Sequence, residues 1–385
     1  MDKITHLQIP GPTNIPDSVL RAFSRPNIKH RGEEFSELVT DVIEDLKDLF
    51  MTENEILTFP SSGSGTMESA IVNTLSPGDK VLAISQGVFS NRFGDIAEDH
   101  GVEVERLEVD WNSAVNLTKL EDRLKKDVDK TIKTILLPHN ETSTAITNDL
   151  AGIREAIDNA NHPALLVVDA ISSMGAIELK TDEWGVDIVV ASSQKGLMLS
   201  PGLSIVSISD KAWEAVKTSK LSKWYWDYES VRENIHNGRF PYTPPQTLYF
   251  GLEESLRLIK EEGLENVFKR HATLATAFRK GIRGMGLELF AADEIASNSV
   301  TSICIPEEVD AKAVINTLKE DYGIIVGGGL SKLSGKIFRV GHLGAIYNVD
   351  IIGILSGIEM TFTKLGYNIN LGQGIKAAQK SLLKI

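Results

Sequence analysis

The sequence VVASSQKG, residues 189–196, passes from small apolar residues into a lysine, Lys195, followed by a glycine. An earlier apolar stretch, LLVV at residues 165–168, ends in the same way on Asp169. Short apolar runs bounded by turn residues are typical of buried strands in a parallel sheet. Each run therefore places a charged side chain at the carboxyl end of a strand, where open α/β sheets bind their ligands. The two stretches predict an α/β fold with a ligand site at that sheet edge.

A lysine amine and an aspartate carboxylate at such strand ends have one well-defined chemical use. The cofactor pyridoxal phosphate (PLP) needs an amine that forms a Schiff base and a carboxylate that holds the proton on its pyridine nitrogen. Taken singly, Lys195 is more simply explained as a surface lysine and Asp169 as a residue that caps a turn. Taken together with the loop described next, they are interpreted as the two anchors of PLP.

A loop of small residues precedes a predicted helix earlier in the chain. Residues 59–66 read FPSSGSGT, and the apolar spacing of residues 67–75 predicts an amphipathic helix. Unpaired N–H groups and the helix dipole bind anions at such a start, and the hydroxyls of Ser64 and Thr66 add donors. The pattern matches neither a dinucleotide fingerprint nor an ATP-binding loop. It predicts a phosphate site, although an ordinary turn with a Ser/Thr helix cap has the same composition.

Composition limits the classes of partner. The 385 residues include 53 acidic and 40 basic ones, and a net charge of −13 disfavours nucleic acid and anionic membranes as partners. The single cysteine, Cys304, argues against a disulfide and a multi-cysteine metal site, and its alternating context predicts a packed strand residue. The eight histidines are scattered without the paired spacing of metal ligands, so no metal site is expected. Without a leader or a membrane-length apolar run, a soluble, cytoplasmic protein is expected.

The first two thirds of the chain alternate between strand-like and helical patterns. The predicted strands are 80–84, 102–107, 134–137, 165–169, 188–191 and 203–206, and the predicted helices among them are 91–100, 118–126 and 150–159. Such sequential βα units indicate a mainly parallel sheet. We expect a large domain at residues 16–255.

The remaining residues are expected to form a smaller α+β domain. After a helix at 252–262, the patterns predict a helix (265–285), a strand (300–305), a helix (311–322), a turn (327–329), a strand (337–340) and a helix (350–365). The N-terminal residues, with the rigid stretch Pro10-Gly11-Pro12, are expected to join this part. The predicted small domain therefore consists of residues 1–15 and 256–385.

Nearly the whole chain resembles the class V aminotransferases, in particular their serine–pyruvate and alanine–glyoxylate branch. The resemblance rests on the number and order of matching blocks. In chain order these are GPTN (11–14), HR (30–31), SGSGT (62–66), GVFSNR (87–92), HNETST (139–144), VDAISS (168–173), SSQK (192–195), TPP (243–245) and RVGHLG (339–344). The resemblance implies fold type I of the PLP-dependent transferases, with a mainly parallel seven-stranded sheet in the large domain.

The resemblance also implies roles for single residues around the cofactor. Lys195 is implied to form the Schiff base and Asp169 to pair with the pyridine nitrogen, so these two are the expected catalytic residues. The full set implied to contact PLP is Ser64, Gly65, Thr66, Phe89, Thr142, Asp169, Ile171, Gln194, Lys195 and Thr243. Thr243 is implied to reach the phosphate from the other subunit of a homodimer, with active sites at the interface. The segment 224–245, which is rich in aromatic residues and prolines, is expected to be either a subunit contact or a packed surface loop.

Three residues are implied to bind substrate. Arg339 resembles the arginine that holds the substrate carboxylate, and Gly11 and Phe89 are implied to line the pocket. On its own, Arg339 has a second interpretation as a strand-end arginine in a surface ion pair. The chain departs from the family pattern at two positions: Phe89 stands where tryptophan is more usual, and Phe240 stands where some relatives have a phosphate-binding tyrosine.

The expected reaction is PLP-dependent transamination between a small amino acid, serine or alanine, and a small 2-oxo acid, pyruvate or glyoxylate, by a ping-pong mechanism. Another class V reaction stays open, either that of a lyase or transamination of a phosphonate-type aldehyde. A cysteine desulfurase is disfavoured because it needs a mobile cysteine on a loop, and Cys304 is predicted within a strand. A non-catalytic assembly subunit is the third alternative, and the presence of Lys195, Asp169 and Arg339 argues against it.

Overall fold

The structure is a computed structural model, and it describes residues 5–384. Residues 1–4, which the prediction assigns to the small domain, and residue 385 lie outside the described part. The helices within this range are α1 (Asp17–Ala22), α2 (Glu33–Phe50), α3 (Gly63–Thr74), α4 (Val88–Asp99), α5 (Leu117–Lys126), α6 (Leu150–Asn159), α7 (Asp210–Val216), α8 (Tyr228–Ile235), α9 (Gln246–Glu262), α10 (Leu264–Gly284), α11 (Ala311–Tyr322), α12 (Asn348–Lys364) and α13 (Gln373–Leu382). None of the helices in residues 5–384 combines the length and apolar character that a membrane crossing requires.

The strands form three sheets. The strands within the described residues are β1 (His6–Gln8), β2 (Glu55–Phe59), β3 (Lys80–Ser85), β4 (Glu103–Glu108), β5 (Ile132–Pro138), β6 (Asn140–Glu141), β7 (Ile146–Thr147), β8 (Leu165–Asp169), β9 (Ile188–Ser192), β10 (Ser204–Ile208), β11 (Val300–Cys304), β12 (Ile324–Gly328) and β13 (Ile337–Gly341). The short strands β6 and β7 form a hairpin of their own, and the other strands belong to a large and a small sheet.

The large sheet has seven strands in the order β2-β10-β9-β8-β5-β3-β4. The strands from β9 to β4 run parallel to their neighbours, whereas β10 is antiparallel to both β9 and β2. This arrangement confirms the predicted mainly parallel seven-stranded sheet. Since β8 and β9 are parallel neighbours, the residues that follow their carboxyl ends emerge side by side.

The central strands of the large sheet are uninterrupted apolar runs because both of its faces are covered. Every residue of β8, β9 and β10 is buried, as expected for strands covered on both sides. Helix α3 contacts β9, and α4 contacts β3 and β5. The apolar cluster around this sheet extends along the chain from Val19 to Val267. The strand ends that carry the candidate site are therefore held by a packed frame.

The small sheet has four strands in the order β1-β12-β13-β11. The N-terminal strand β1 pairs in parallel with β12, with Leu7 opposite Ile325, so these N-terminal residues and the C-terminal part share one sheet. A second apolar cluster, which includes Phe278 of α10, Phe338 of β13 and Phe362 of α12, packs against this sheet. The domain limits 16–255 for the large part and 1–15 plus 256–385 for the small part stay a prediction.

Two local predictions are wrong. The stretch 327–329 is predicted as a turn, but Gly327 and Gly328 belong to β12, opposite Arg339 and Phe338 of β13. Glycine in a strand often marks the close approach of another segment, and a Cβ at Gly327 would lie 3.3 Å from the ring of Pro10. The helix predicted from residue 67 begins earlier, at Gly63. The small residues of the predicted phosphate loop therefore form the first turn of α3.

Candidate active site

The structure brings Lys195 and Asp169 together at the carboxyl edge of the large sheet. Asp169 is the last residue of β8 and pairs with Val190 of β9. Strand β9 ends at Ser192, and the chain turns into Lys195 three residues later. The two charges interact, because the Asp169 carboxylate acts to raise the pKa of Lys195. The predicted pairing of a lysine and an aspartate at this edge is therefore present in the geometry.

The amine of Lys195 is held in a confined position. Its Nζ donates a hydrogen bond to the carbonyl oxygen of Pro10. The next residue, Gly11, has a φ of +120°, and a Cβ there would lie 2.5 Å from Nζ, so a side chain at this position would collide with the amine. Burial lowers the pKa of Lys195 to about 8, against the attraction of Asp169 and with a smaller contribution from Arg339.

Asp169 is a buried carboxylate without a cationic partner at hydrogen-bond distance among residues 5–384. Its side chain is 5% exposed, and its Oδ1 accepts a hydrogen bond from the backbone N–H of Ile171 at 2.8 Å. Burial raises the pKa of Asp169 to about 7, and the charge of Glu141 adds to this rise. A desolvated carboxylate with one donor has capacity for a second, positively charged donor. The protonated nitrogen of a pyridine ring is a positively charged donor of this kind, so Asp169 fits the expected cofactor.

Arg339 lies buried on β13 and not in a surface ion pair. Its Nε donates to the carbonyl oxygen of Gly328 at 3.0 Å, and its Nη1 donates to that of Thr142 at 3.1 Å. Burial lowers the pKa of Arg339 to about 10, while the charge of Glu141 opposes this shift. Two of the five guanidinium hydrogens are thus committed to backbone carbonyls. The edge formed by Nη1 and Nη2 retains three hydrogens, which suffice for a bidentate contact with a carboxylate.

The predicted phosphate residues lie in and beside the first turn of α3. Ser64 and Gly65 are partly buried there, and Thr66 is fully buried, with its hydroxyl directed to the carbonyl oxygen of Ala191 at 3.3 Å. Ile171, which follows Asp169, packs against this turn, since a Cβ at Gly63 would lie 2.5 Å from its Cδ1. The start of the helix thus meets the carboxyl ends of β8 and β9. Its unpaired N–H groups are available to an anion bound at the same edge.

Gln194 and the N-terminal segment close the site from the other side. The backbone N–H of Thr13 donates to the carbonyl oxygen of Gln194 at 3.1 Å, and the Thr13 hydroxyl donates to that of Lys195 at 2.9 Å. The side-chain oxygen of Gln194 accepts from the Ser192 hydroxyl, which leaves its NH₂ group free to donate. These contacts bring the segment with Gly11 next to the lysine, as the resemblance implies.

Glu141 is a buried charged residue beside the site that the sequence patterns do not single out. It is fully buried, and its carboxylate accepts backbone N–H donors from Ser90 at 2.8 Å and from Ser143 at 2.9 Å, besides the Ser143 hydroxyl at 2.6 Å. A weaker contact of 3.4 Å comes from the N–H of Phe89. Glu141 thus joins the start of α4, which carries Phe89, to the hairpin that carries Thr142. Its place within the HNETST block, one of the blocks that carry the family resemblance, was the one feature of the sequence that could have pointed to it.

Thr243 stays apart from these residues within one chain. It is exposed in the stretch before α9, and its predicted role depends on a second copy of the chain. Phe240 is 7% exposed and packs edge-on against Tyr249, with 5.6 Å between the ring centres. It therefore belongs to the core and presents no group to a phosphate. Nearby Trp224 is 82% exposed.

Comparison with known proteins agrees with this geometry. The family described as "Aminotransferase class-V" matches residues 6–341. The L-aspartate–glyoxylate aminotransferase of Paracoccus denitrificans is 42% identical over 374 residues, which is 97% of this chain and 94% of that protein. The serine–glyoxylate aminotransferase of Methylorubrum extorquens is 42% identical over 98% of this chain and 96% of that protein.

Two further similarities bear on function. A protein named as the small subunit of a soluble hydrogenase, from Synechococcus sp., is 39% identical over 98% of both chains. Among solved structures, an alanine–glyoxylate aminotransferase from Nostoc sp. superposes with a TM-score of 0.89 at 32% identity, covering 94% of this chain and 96% of that one. The resemblance drawn from the sequence blocks is thereby confirmed.

Proposed function

Because the chain belongs to the aminotransferase class-V family, we propose that it transfers the amino group of serine or alanine to glyoxylate or pyruvate, with PLP as its cofactor. The exchange is a ping-pong reaction in which the first keto product leaves before the second oxo acid binds. One observation carries the proposal: an amine of lowered pKa and a desolvated carboxylate lie at one edge of the large sheet, and a guanidinium with a free edge, held on the small sheet, acts on the amine. These groups belong to Lys195, Asp169 and Arg339.

The residues present fit three contacts that PLP requires. Lys195 would hold the cofactor covalently, Asp169 would pair with its ring nitrogen, and the first turn of α3 with Gln194 would hold its phosphate. When bound, PLP supplies an electron sink that stabilises the negative charge left on the α-carbon of an amino acid. Asp169 contributes by keeping a proton at the ring nitrogen. Burial disfavours the ionised form of its carboxylate unless a positive group lies beside it, and the protonated nitrogen would be that group.

Lys195 and Arg339 act on the substrate. At neutral pH a lysine with a pKa of about 8 is partly unprotonated, so its Nζ can remove and return the α-proton. Arg339 binds the substrate carboxylate through its free edge, and the two parallel hydrogen bonds fix the orientation of the α-carbon. The carbonyl contacts with Gly328 and Thr142 hold the guanidinium in that direction.

The proposed substrates are small because the site surrounds the amine closely. The carbonyl of Pro10, next to Gly11, accepts a hydrogen bond from Lys195, and Phe89 is expected to cover the ring from the side of α4. Relatives named for serine–glyoxylate and alanine–glyoxylate transfer support this choice. Another relative is named for aspartate–glyoxylate transfer, so aspartate is the amino acid to compare with serine and alanine as a substrate.

We further propose a homodimer, in which Thr243 of one subunit reaches the phosphate bound by the other. Two observations support it: Thr243 is exposed within its own chain, and the aromatic side chains of Trp224 and Tyr225 in the preceding segment are also exposed. A cytoplasmic location is part of the same proposal, because a single cysteine suits a reducing compartment.

Two alternatives have weaker support. A desulfurase needs a reactive thiolate, but Cys304 lies half-buried at the end of β11, and burial raises the pKa of its thiol. The relative named as a hydrogenase subunit keeps an assembly role under consideration. An assembly subunit has no use for a desolvated Lys195 and Asp169, because burying these two groups costs folding free energy and shifted pKa values of this kind are typical of catalytic sites.

A half-reaction screen tests the proposal. The purified protein is loaded with PLP, mixed with single amino acids, and followed by its visible spectrum and by chromatography of the keto acid released. Serine or alanine is expected to bleach the visible band and to release one equivalent of its keto acid. A protein whose spectrum no amino acid changes would contradict the proposal and support the assembly role.

A further inference from the structure

The phosphate end of the proposed cofactor site has no cation among the residues discussed so far. Ser64, Gly65, Thr66, Gln194 and Thr243 offer uncharged donors. A phosphate monoester carries a charge of about −1.5 to −2 at neutral pH, and hydrogen bonds to ionised donors are about twice as strong as those between neutral groups. Because the chain has a net charge of −13, binding such an anion is favoured by a local positive group.

Arg92 brings a positive group to this place. It lies on α4, and its Nη1 donates to the hydroxyl oxygen of Ser64 at 3.2 Å. Its guanidinium carbon lies 5.0 Å from the centre of the Phe89 ring, and this stacking orients the planar group. The side chain thus extends from the aromatic residue expected over the pyridine ring to the turn expected around the phosphate.

The charge of Arg92 is not neutralised by a carboxylate. Arg106, which contacts the same helix, pairs with Asp95 at 2.8 Å, but no acidic oxygen among residues 5–384 lies within ion-pair distance of Arg92. Its field reaches the catalytic carboxylate, because Arg92 acts to lower the pKa of Asp169. An oriented guanidinium without an acidic partner retains donors for an incoming anion.

We propose that Arg92 binds the 5′-phosphate of the cofactor, beside Ser64 and the first turn of α3. The inference rests on the proposed PLP cofactor and adds a residue to its site. It also explains how the site can lack the phosphate-binding tyrosine that some relatives have at the position of Phe240, which is packed in the core and offers no hydroxyl. The charge-assisted contact from Arg92 replaces a neutral tyrosine donor with a stronger one.

The test compares two ligands that differ in the phosphate alone. The apoprotein and its Arg92→Gln variant are titrated with PLP and with pyridoxal, and dissociation constants are read from the visible absorbance. We expect Arg92→Gln to weaken PLP binding about tenfold or more, the range for a lost charge-assisted contact, and to leave pyridoxal binding within about twofold. Arg92→Lys, which keeps the charge but loses the planar fork, is expected to fall in between.

Arg106→Gln is the matched control, because it removes an arginine beside the same helix that is already paired with Asp95. It is expected to leave both dissociation constants unchanged. Equal weakening of PLP and pyridoxal by Arg92→Gln would overturn the inference and assign Arg92 to the ring through Phe89. An unchanged PLP affinity would also overturn it, without touching the proposed function, which fails instead if the unaltered protein binds no PLP.

Discussion

Arg339 donates from Nη1 to the carbonyl oxygen of Thr142 at 3.1 Å, although the first residue lies on the small sheet and the second in the β6–β7 hairpin beside the large one. The contact joins the residue proposed to hold the substrate to the hairpin expected to contact the cofactor. Because Gly328 fixes the Nε side as well, the free edge of the guanidinium has one direction. Substrate orientation therefore depends on a contact between two parts of the fold.

Replacing Arg339 tests this assignment. Arg339→Lys keeps a positive charge but loses the fork, so we expect the KM for the amino acid to rise about tenfold to a hundredfold. The control is Arg279→Lys, because Arg279 is also buried on the small part and donates to the carbonyl oxygen of Ser297 at 2.8 Å. It is expected to change stability and not KM. A fall in kcat alone for Arg339→Lys would mean that the residue does not bind the carboxylate.

Asp169→Asn keeps the shape of the side chain and removes its charge. Since an amide does not hold a proton on the ring nitrogen, we expect kcat to fall about a hundredfold or more, while PLP remains bound more weakly. Asp187→Asn is the comparison, because Asp187 is an equally buried aspartate at the opposite end of the sheet, bonded to the N–H of Leu166 at 2.8 Å. Near-normal turnover in Asp169→Asn would refute the role of the carboxylate.

The apoprotein offers a pH test of Lys195. The unprotonated amine is the nucleophile, so the rate of PLP incorporation is expected to rise with pH and to level off above the pKa of about 8. Asp169, with a pKa of about 7, is ionised there and stabilises the protonated amine. Asp169→Asn is therefore expected to move the midpoint to lower pH. A midpoint near the ordinary lysine value, or a shift upward in the variant, is incompatible with this account.

Glu141→Gln probes the buried carboxylate. Both of its oxygens accept backbone N–H donors, so an amide places its NH₂ group against a donor in either orientation. We expect a loss of about 1–3 kcal/mol in the free energy of unfolding, together with weaker PLP binding because Phe89 and Thr142 are no longer held.

Glu359→Gln separates stability from function in that experiment. Glu359 is 2% exposed and likewise accepts two backbone donors, from Gly372 at 2.8 Å and Gly374 at 2.7 Å, but it lies away from the site on α12. A similar loss of stability with unchanged PLP affinity is expected. If Glu141→Gln behaves in the same way, its role is structural alone.

The central strands and their charged ends were predictable from sequence because one local rule governs them. A strand covered by helices on both faces needs an unbroken apolar run, and the predicted limits 165–169 coincide with β8. The lysine, the aspartate and the small residues at the start of α3 follow directly from such runs. Their meeting at one edge follows from parallel neighbours in the sheet.

The residues that sequence analysis missed depend on contacts between distant segments. Strand β12 ends in two glycines, which indicate a turn unless it is known that Pro10 packs beside them. Strand β1 has three residues and forms by pairing with a strand more than three hundred positions away. Glu141 and Arg92 resemble ordinary surface charges until the structure places one between two backbone segments and the other against Ser64.

The most direct test is chemical identification of the lysine that carries the cofactor. The purified protein is incubated with PLP, reduced with borohydride, digested and mapped by mass spectrometry, with Lys195→Ala treated in parallel. We expect a yellow protein with one stoichiometric modification at Lys195, and a colourless Lys195→Ala variant without it. A protein that stays unmodified, or one that is modified to the same extent in the Lys195→Ala variant, would contradict the central claim.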